Sequence, residues 1–452
     1  MRISRREFLG GLGAIGAAAA LPRFGKRRAE AAEAGDYRAL VCVFLFGGND
    51  GNNTIVPIDD AGYGKYLGVR GASDAGGLAL AREQLLPLTP GDGSAAQFGL
   101  HPRLTELQSL WQSGVLAPVF NVGTLLAPTT KDDFLQNKVP QPLSLLSHQD
   151  QQHQWQTAIA DQQARTGWGG RLGDTLAAEM LPPVISVAGN QLFVIGEHSS
   201  PLALPAVGGS FGLTGFDSSA EGTARRTAFD HVRMAADTNL IEQASAAQVD
   251  ASIRAGQIVA PVLAGKSSAV DALFTGQKSG IALQLQQVAR LIEARATLGM
   301  TRQIFFVSQG GYDTHNDELT RQGDLFTDLA PALKSFYDAT AQLGIAGQVT
   351  TFTLSDFART LKPASGGGSD HAWGNHHFVI GGAVKGKKTY GTFPALELGG
   401  PDDFTSEGRW VPTIAVDQYA ATLATWFGVG ASDLPKVLPY IGRYPSANLG
   451  FV

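Results

Sequence analysis

The acidic residues and histidines of this chain fall in a few tight groups. Asp313-Thr314-His315 sets a carboxylate and an imidazole two positions apart, a spacing that turns both to the same side of an extended segment. Asp370-His371-Ala372-Trp373-Gly374-Asn375-His376-His377 holds three of the nine histidines within seven residues. Asp50 closes the turn Gly47-Gly48-Asn49-Asp50, and Asp356 follows Ser355 directly. Carboxylate oxygens and imidazole nitrogens brought to one place suit a divalent transition ion, zinc first, because they supply hard and borderline donors in a compact shell. Ser147-His148-Gln149-Asp150 adds a nucleophile or base. A serine at a helix start meets backbone N–H groups that favour its alkoxide and any phosphate or sulfate bound there. Ser147 is equally a good N-cap, Asp356 could cap a helix beginning at Phe357, and Asp50-Gly51 also makes an ordinary turn.

What could gather these groups is a sheet. Leu40–Phe46, Ile304–Val307 and Val349–Leu354 are apolar, β-branched or aromatic runs that read as buried strands, and each leads at once into one of the acidic turns. Val115–Val122, Val184–Val187, Leu192–Ile195 and Phe378–Ile380 are further short strand candidates. Between them lie helical stripes: Leu104, Leu107 and Trp111; Ile281, Leu285, Val288 and Ile292; Phe326, Leu329, Leu333, Phe336 and Leu343. Strands alternating with helices predict an α/β fold, a mainly parallel sheet flanked by helices on both faces. Ligands of such sheets bind in the crevice at the carboxyl ends of the strands, so Asp50, Asp313 and Asp356 should converge there. Residues 61–98 and 199–219 read as surface insertions, and Pro363 to Ser369, with three consecutive glycines, as a mobile loop beside the site.

The ends and the composition narrow the setting. Ser4-Arg5-Arg6-Glu7-Phe8-Leu9 is a twin arginine followed by bulky apolar residues, and a small Gly/Ala-rich run continues to Ala20. That run is too short for the ~20 residues of a membrane span. Residues 1–34 therefore read as a twin-arginine signal and processing region, with small-x-small cleavage sites at Ala29-Glu30-Ala31 and Ala32-Glu33-Ala34, and 35–452 as a single domain with loop insertions. The implied partner is the twin-arginine translocation machinery, and the implied location is the periplasm or another extracytoplasmic space. Gly11-Leu12-Gly13-Ala14-Ile15-Gly16 spells a dinucleotide-binding pattern but follows no strand, so it carries no such meaning. A net charge of −5 without a basic stripe gives no support for nucleic acid. Cys42, the single cysteine, lies in an apolar run and reads as a buried structural thiol.

FLFGGNDGNNTIVP, LHPRLTELQSLW, SHQDQQHQW, GWGGRLGD, GGYDTHN, LSDFART and DHAWGNHHFVIGGAVKG, after an N-terminal SRREFL, resemble in type and order the exported family known as domain of unknown function 1501. That family is similar in fold to alkaline phosphatases and sulfatases, which hold divalent metals and use a Ser, Thr or modified Cys nucleophile. The resemblance implies an alkaline-phosphatase-like fold, with Asp50, Asp313, His315, Asp356 and His371 as metal ligands; Ser147 and His148, read from their own segment, are the catalytic candidates. A metal-dependent hydrolase of small anionic phosphate or sulfate esters is the first functional expectation. A non-catalytic exported binding protein with a degenerate site is the second, and a metal-free hydrolase with His148 or His315 as base is the third.

Replacing Arg5 and Arg6 with Lys keeps the charge and removes the pair that the export machinery reads. The double variant should accumulate as cytoplasmic precursor in cell fractionation; undiminished export without the general secretion route would overturn the assignment.

Overall fold

A computed structural model describes residues 37–177, 179, 181–208, 215–234, 239–264 and 268–452, so the twin-arginine segment lies outside the described residues. Its strands are β1 Arg38–Phe46, β2 Ile55–Pro57, β3 Leu86–Pro87, β4 Phe98–Leu100, β5 Leu116–Gly123, β6 Val184–Ser186, β7 Leu202–Ala203, β8 Arg302–Gly310, β9 Val349–Ser355, β10 Asn375–Gly381 and β11 Ile414–Ala415. Eight form one sheet in the order β11-β5-β10-β9-β1-β8-β6-β7, and β2-β4-β3 form a small second sheet.

β1 is central because its sequence is apolar on both faces. Ala39, Val41, Val43 and Leu45 enter one core cluster, and Leu40, Cys42 and Phe44 enter the other, as the two-residue period of a strand requires. Helices Thr105–Gln112, Gly280–Glu293 and Glu318–Gln342 contribute Leu107, Leu285 and Leu333 to the first cluster. Helices His148–Thr157, Trp168–Asp174 and Val416–Phe427 contribute Trp155, Trp168 and Tyr419 to the second. Both faces are thus covered, and the sheet is the mainly parallel α/β kind that the alternating pattern predicts.

β1 pairs in parallel with β8 and β9, which sets their carboxyl ends side by side. β10 runs antiparallel to both β9 and β5. Its amino end therefore lies at the same sheet edge as the carboxyl ends of β1, β8 and β9, and the segment leading into it, with His371, reaches the same crevice.

Three local expectations are corrected. Leu192–Val194 is a single 3-10 turn, with Phe193 and Val194 buried, closed by Ile195 N donating to Leu192 O at 3.0 Å. Residues 61–98 are more than a surface insertion: helix Asp60–Arg70 sends Arg70 inward to Asp50, and Tyr66, Leu80 and Leu85 join Trp410 in a third core cluster. The glycine loop before His371 is fastened. Gly366 O accepts from Asp317 N at 3.3 Å and Gly367 O from Glu318 N at 2.9 Å, so the loop caps the 25-residue helix Glu318–Gln342. A Cβ on Gly368 would strike the backbone of His315.

Beneath the crevice, β10 buries two imidazoles. Asn121 N donates to His376 Nδ1 at 3.1 Å, and His377 packs edge-on against Trp155. Burial pushes both pKa values down to about 3. The unfolded chain takes up these protons near pH 6.5 and the folded chain does not, so stability is present above pH 6.5 and is lost as pH falls from there toward 3, by about 1.4 kcal/mol per pH unit for each imidazole. Urea unfolding between pH 6.5 and 5 should show the loss, and His377→Phe should make the slope shallower by about one imidazole's share. An unchanged slope would mean that His377 titrates normally in the folded protein.

Candidate metal centre

Four side chains meet at the crevice. Asp313 and His315 come from the loop after β8, His371 from the segment entering β10, and His148 is the first residue of helix His148–Thr157. Asp313 Oδ1 lies 3.4 Å from His148 Nε2, 3.1 Å from His315 Nε2 and 3.5 Å from His371 Nε2. The Nε2 atoms of His315 and His371 are 2.9 Å apart. A tetrahedral zinc shell, with ligands at about 2.0–2.1 Å, sets its ligand atoms about 3.3 Å from one another. Donor atoms of His148, Asp313 and His371 all lie within 4.8 Å of one another, close enough to be drawn around one such ion, while His315 stands outside that group beside Asp313 and His371.

The other ring nitrogens decide the tautomers. His148 Nδ1 is 2.8 Å from Asp356 Oδ2, His315 Nδ1 is 3.2 Å from Asp370 Oδ1, and His371 Nδ1 is 2.8 Å from Leu146 O. Each of these oxygens accepts, so each Nδ1 carries the hydrogen, an assignment made from the bonding network. Every Nε2 then turns a lone pair inward, toward the Asp313 carboxylate. Outward Nδ1–H bonds with inward Nε2 lone pairs are how metal-ligating imidazoles are held. Without a cation, the His315 and His371 lone pairs would repel each other and the carboxylate. His148 Nε2 is buried without a hydrogen-bond partner.

Electrostatics set the donors for this role. Burial pushes the Asp313 carboxyl up, but the Arg359 hydrogen bond and charge outweigh it and hold the pKa below its ordinary value, so the group is ionised. Burial pushes His371 down and keeps it neutral. The hydrogen bond to Asp356 raises His148 despite its partial burial. Arg359 itself is buried: Nε donates to Gly48 O at 2.9 Å, Nη1 to Ser369 O at 2.8 Å, and Nη2 to Gly47 O at 2.7 Å and to Asp313. Phe357 is buried against the rings of His148 and His371 at 4.7 and 4.5 Å. Leu146 takes φ 75°, an uncommon backbone for a branched residue, while its carbonyl receives His371 Nδ1–H.

Of the residues expected as ligands, Asp313, His315 and His371 come together. Asp356 stands one layer out. Its Oδ2 receives His148 Nδ1 and Gln152 Nε2, its Oδ1 receives Gly47 N at 3.1 Å, and its part is to orient His148. Asp50 is turned away, because Arg70 grips both its oxygens at 2.6 and 3.0 Å and Asn52 N donates to Oδ1. Its turn caps the short helix Gly51–Thr54, as Asp-Gly turns often do. Ser147 is the N-cap of its helix and accepts from Asp150 N at 3.4 Å, so its hydroxyl faces the helix's own amide. His148, expected as a catalytic base, has both nitrogens engaged by the centre and Asp356. Asp370, Arg359, Gln152 and the Leu146 carbonyl were not singled out from sequence. Only Asp370, adjacent to His371, carried a signal there.

The chain belongs to the family described as Protein of unknown function (DUF1501), whose model matches residues 37–403. No curated protein matches it in sequence. Among solved structures, the chain is similar to the C-terminal periplasmic domain of EcEptC from Escherichia coli in complex with Zn, at 10% identity over 95% of this chain and 90% of that one, with a TM-score of 0.38. Ps i-CgsB matches at 8% identity over 90% of this chain and 77% of that one, with a TM-score of 0.33.

Asp356→Asn leaves a single oxygen for His148, Gln152 and Gly47, and Asp370→Ala removes the acceptor of His315; each should weaken metal affinity about 10–100-fold in a competition titration. Asp50→Asn should cost far less affinity than Asp356→Asn but should destabilise the fold by about 1–3 kcal/mol, since Arg70 keeps only Glu318 as a buried carboxylate. Equal metal loss in Asp50→Asn and Asp356→Asn would overturn this division of roles.

Proposed function

We propose that this protein is an exported, metal-dependent hydrolase of phosphate or sulfate esters, with His148, Asp313 and His371 holding one divalent ion, zinc first, and His315 beside them. The observation that carries the reading is the orientation of three imidazoles, each with Nδ1 tied outward to an oxygen and Nε2 aimed at one ionised carboxylate. Imidazole nitrogens from His148 and His371 with the Asp313 oxygen are donors of the kind zinc prefers, and three of them are the usual number at a catalytic zinc. The four side chains keep 24–47% of their surface exposed, so a small anion can reach them from solvent.

A divalent ion held there would polarise an ester oxygen and lower the pKa of an attacking water. The chain's own contribution is to hold the donors in place, with Asp313 ionised and His371 neutral. Arg359 keeps Asp313 ionised, Asp356 and Asp370 orient the rings, and Phe357 walls off one side. In the overall reaction the water oxygen bonds to phosphorus or sulfur, the ester P–O or S–O bond breaks, and the alcohol leaves with one of the water protons.

A second reading, a non-catalytic metal-binding protein, is favoured by His315, whose Nε2 lies 3.1 Å from Asp313 Oδ1 and 2.9 Å from His371 Nε2, because a fourth donor joining the three would close a tetrahedral shell and catalytic zinc usually has three protein ligands. Elemental analysis of the exported protein should give about one divalent ion per chain, and Asp313→Asn should abolish it with circular dichroism unchanged. Turnover of aryl phosphate or sulfate that vanishes with chelator and returns with zinc supports the hydrolase. Stoichiometric metal with no turnover across the panel supports the second reading, and no metal in either protein sinks both.

A further inference from the structure

Beside the centre the crevice continues into an open cleft of about 420 Å³, within the range of ligand pockets, which His315 and Asp370 share with Thr360, Lys362, Ser365 and Glu407. Its walls are fixed by backbone bonds. Lys362 N donates to Glu407 O at 3.0 Å, Leu361 N to Gly408 O at 3.2 Å, Thr360 N to Asp370 O at 2.9 Å and Ala364 N to Gly368 O at 2.8 Å. Arg409 ties the Glu407 wall to the centre, donating from Nε to His371 O at 2.7 Å and from Nη1 to Glu407. The cleft is therefore a preformed extension of the site rather than a gap between loose loops.

Its chemistry is selective. Carboxylates and hydroxyls dominate the lining, and only Pro363 and Ala364 are apolar, so an aryl or acyl group would find little surface to bury against. Hydroxyl groups of a ligand would find acceptors at the carboxylates of Asp370 and Glu407 and at the Ser365 hydroxyl. Lys362 is exposed, and among the described residues it makes no ion pair, in contrast to Arg409, which is neutralised by Glu407. An unpaired ammonium on the wall of a polar cleft favours a ligand with a negative charge of its own.

We propose that this cleft binds an acidic saccharide, with Lys362 receiving its carboxylate or second anionic group, so that the ester hydrolysed at the adjoining centre is one carried on such a sugar. The assignment of an ester substrate rests on the hydrolase reading above. The saccharide site does not, because its lining includes a single imidazole of the centre and needs no ion.

Trigalacturonate titrated into the protein by calorimetry, with chelator present, tests the cleft apart from the centre. It should bind, with uncharged maltotriose at least about tenfold weaker, and Lys362→Glu should lose about tenfold or more while Lys362→Arg retains binding. No trigalacturonate binding, equal binding of maltotriose, or an undiminished Lys362→Glu variant overturns the proposal. Aryl ester turnover by a protein that ignores trigalacturonate would discard the saccharide site and leave the hydrolase. Trigalacturonate binding dependent on Lys362, in a protein that turns over no ester, would do the reverse.

Discussion

The site depends on one buried cation. Arg359 reaches across the crevice to the carbonyls of Gly47 and Gly48 after β1, the carbonyl of Ser369 before β10, and Asp313 after β8. Three loops that are far apart in sequence are thereby fixed to one planar group, and the charge that fixes them also keeps Asp313 ionised. A lysine could not reproduce this, since its single nitrogen has no fork to span four acceptors.

A second buried charge group supports the first from below. Arg70 lies between Asp50 and Glu318, and the Glu318 carboxylate also accepts from Thr314 at 3.0 Å and from Ser369. Thr314 sits between Asp313 and His315, and Ser369 lies two residues before His371. Burial, then the Asp50 charge, drives the Glu318 pKa upward, so one buried arginine is not required to balance two full negative charges. Asp50 thus serves the centre through this network and not as a ligand.

The sheet and its crevice were legible because hydrophobic runs announce buried strands and the carboxyl ends of parallel strands form the crevice. Asp313 and His315 followed from that reading directly. What the sequence could not show was how competing partners divide the acidic residues. Asp50 and Asp356 both follow strands, yet Arg70 claims the first and His148 the second, and neither claim leaves a trace in spacing. His148 was visible as a reactive residue, but its part depends on the direction of each ring nitrogen. The glycine run looked free because glycine permits freedom; here Gly368 is required because the His315 backbone passes too close for any side chain.

The cap that this loop forms on helix Glu318–Gln342 makes the centre and the helix one mechanical piece. At 1.5 Å per residue the helix is about 37 Å long, its first turn tied to the glycine loop that leads to His371 and its apolar face lying on the sheet. The amides of Asp317 and Glu318 are the joint, bonded to Gly366 and Gly367 and to no residue of their own helix. Exchange of those two hydrogens with solvent is then a clock for the ligand loops, one that runs at the rate at which the centre comes apart.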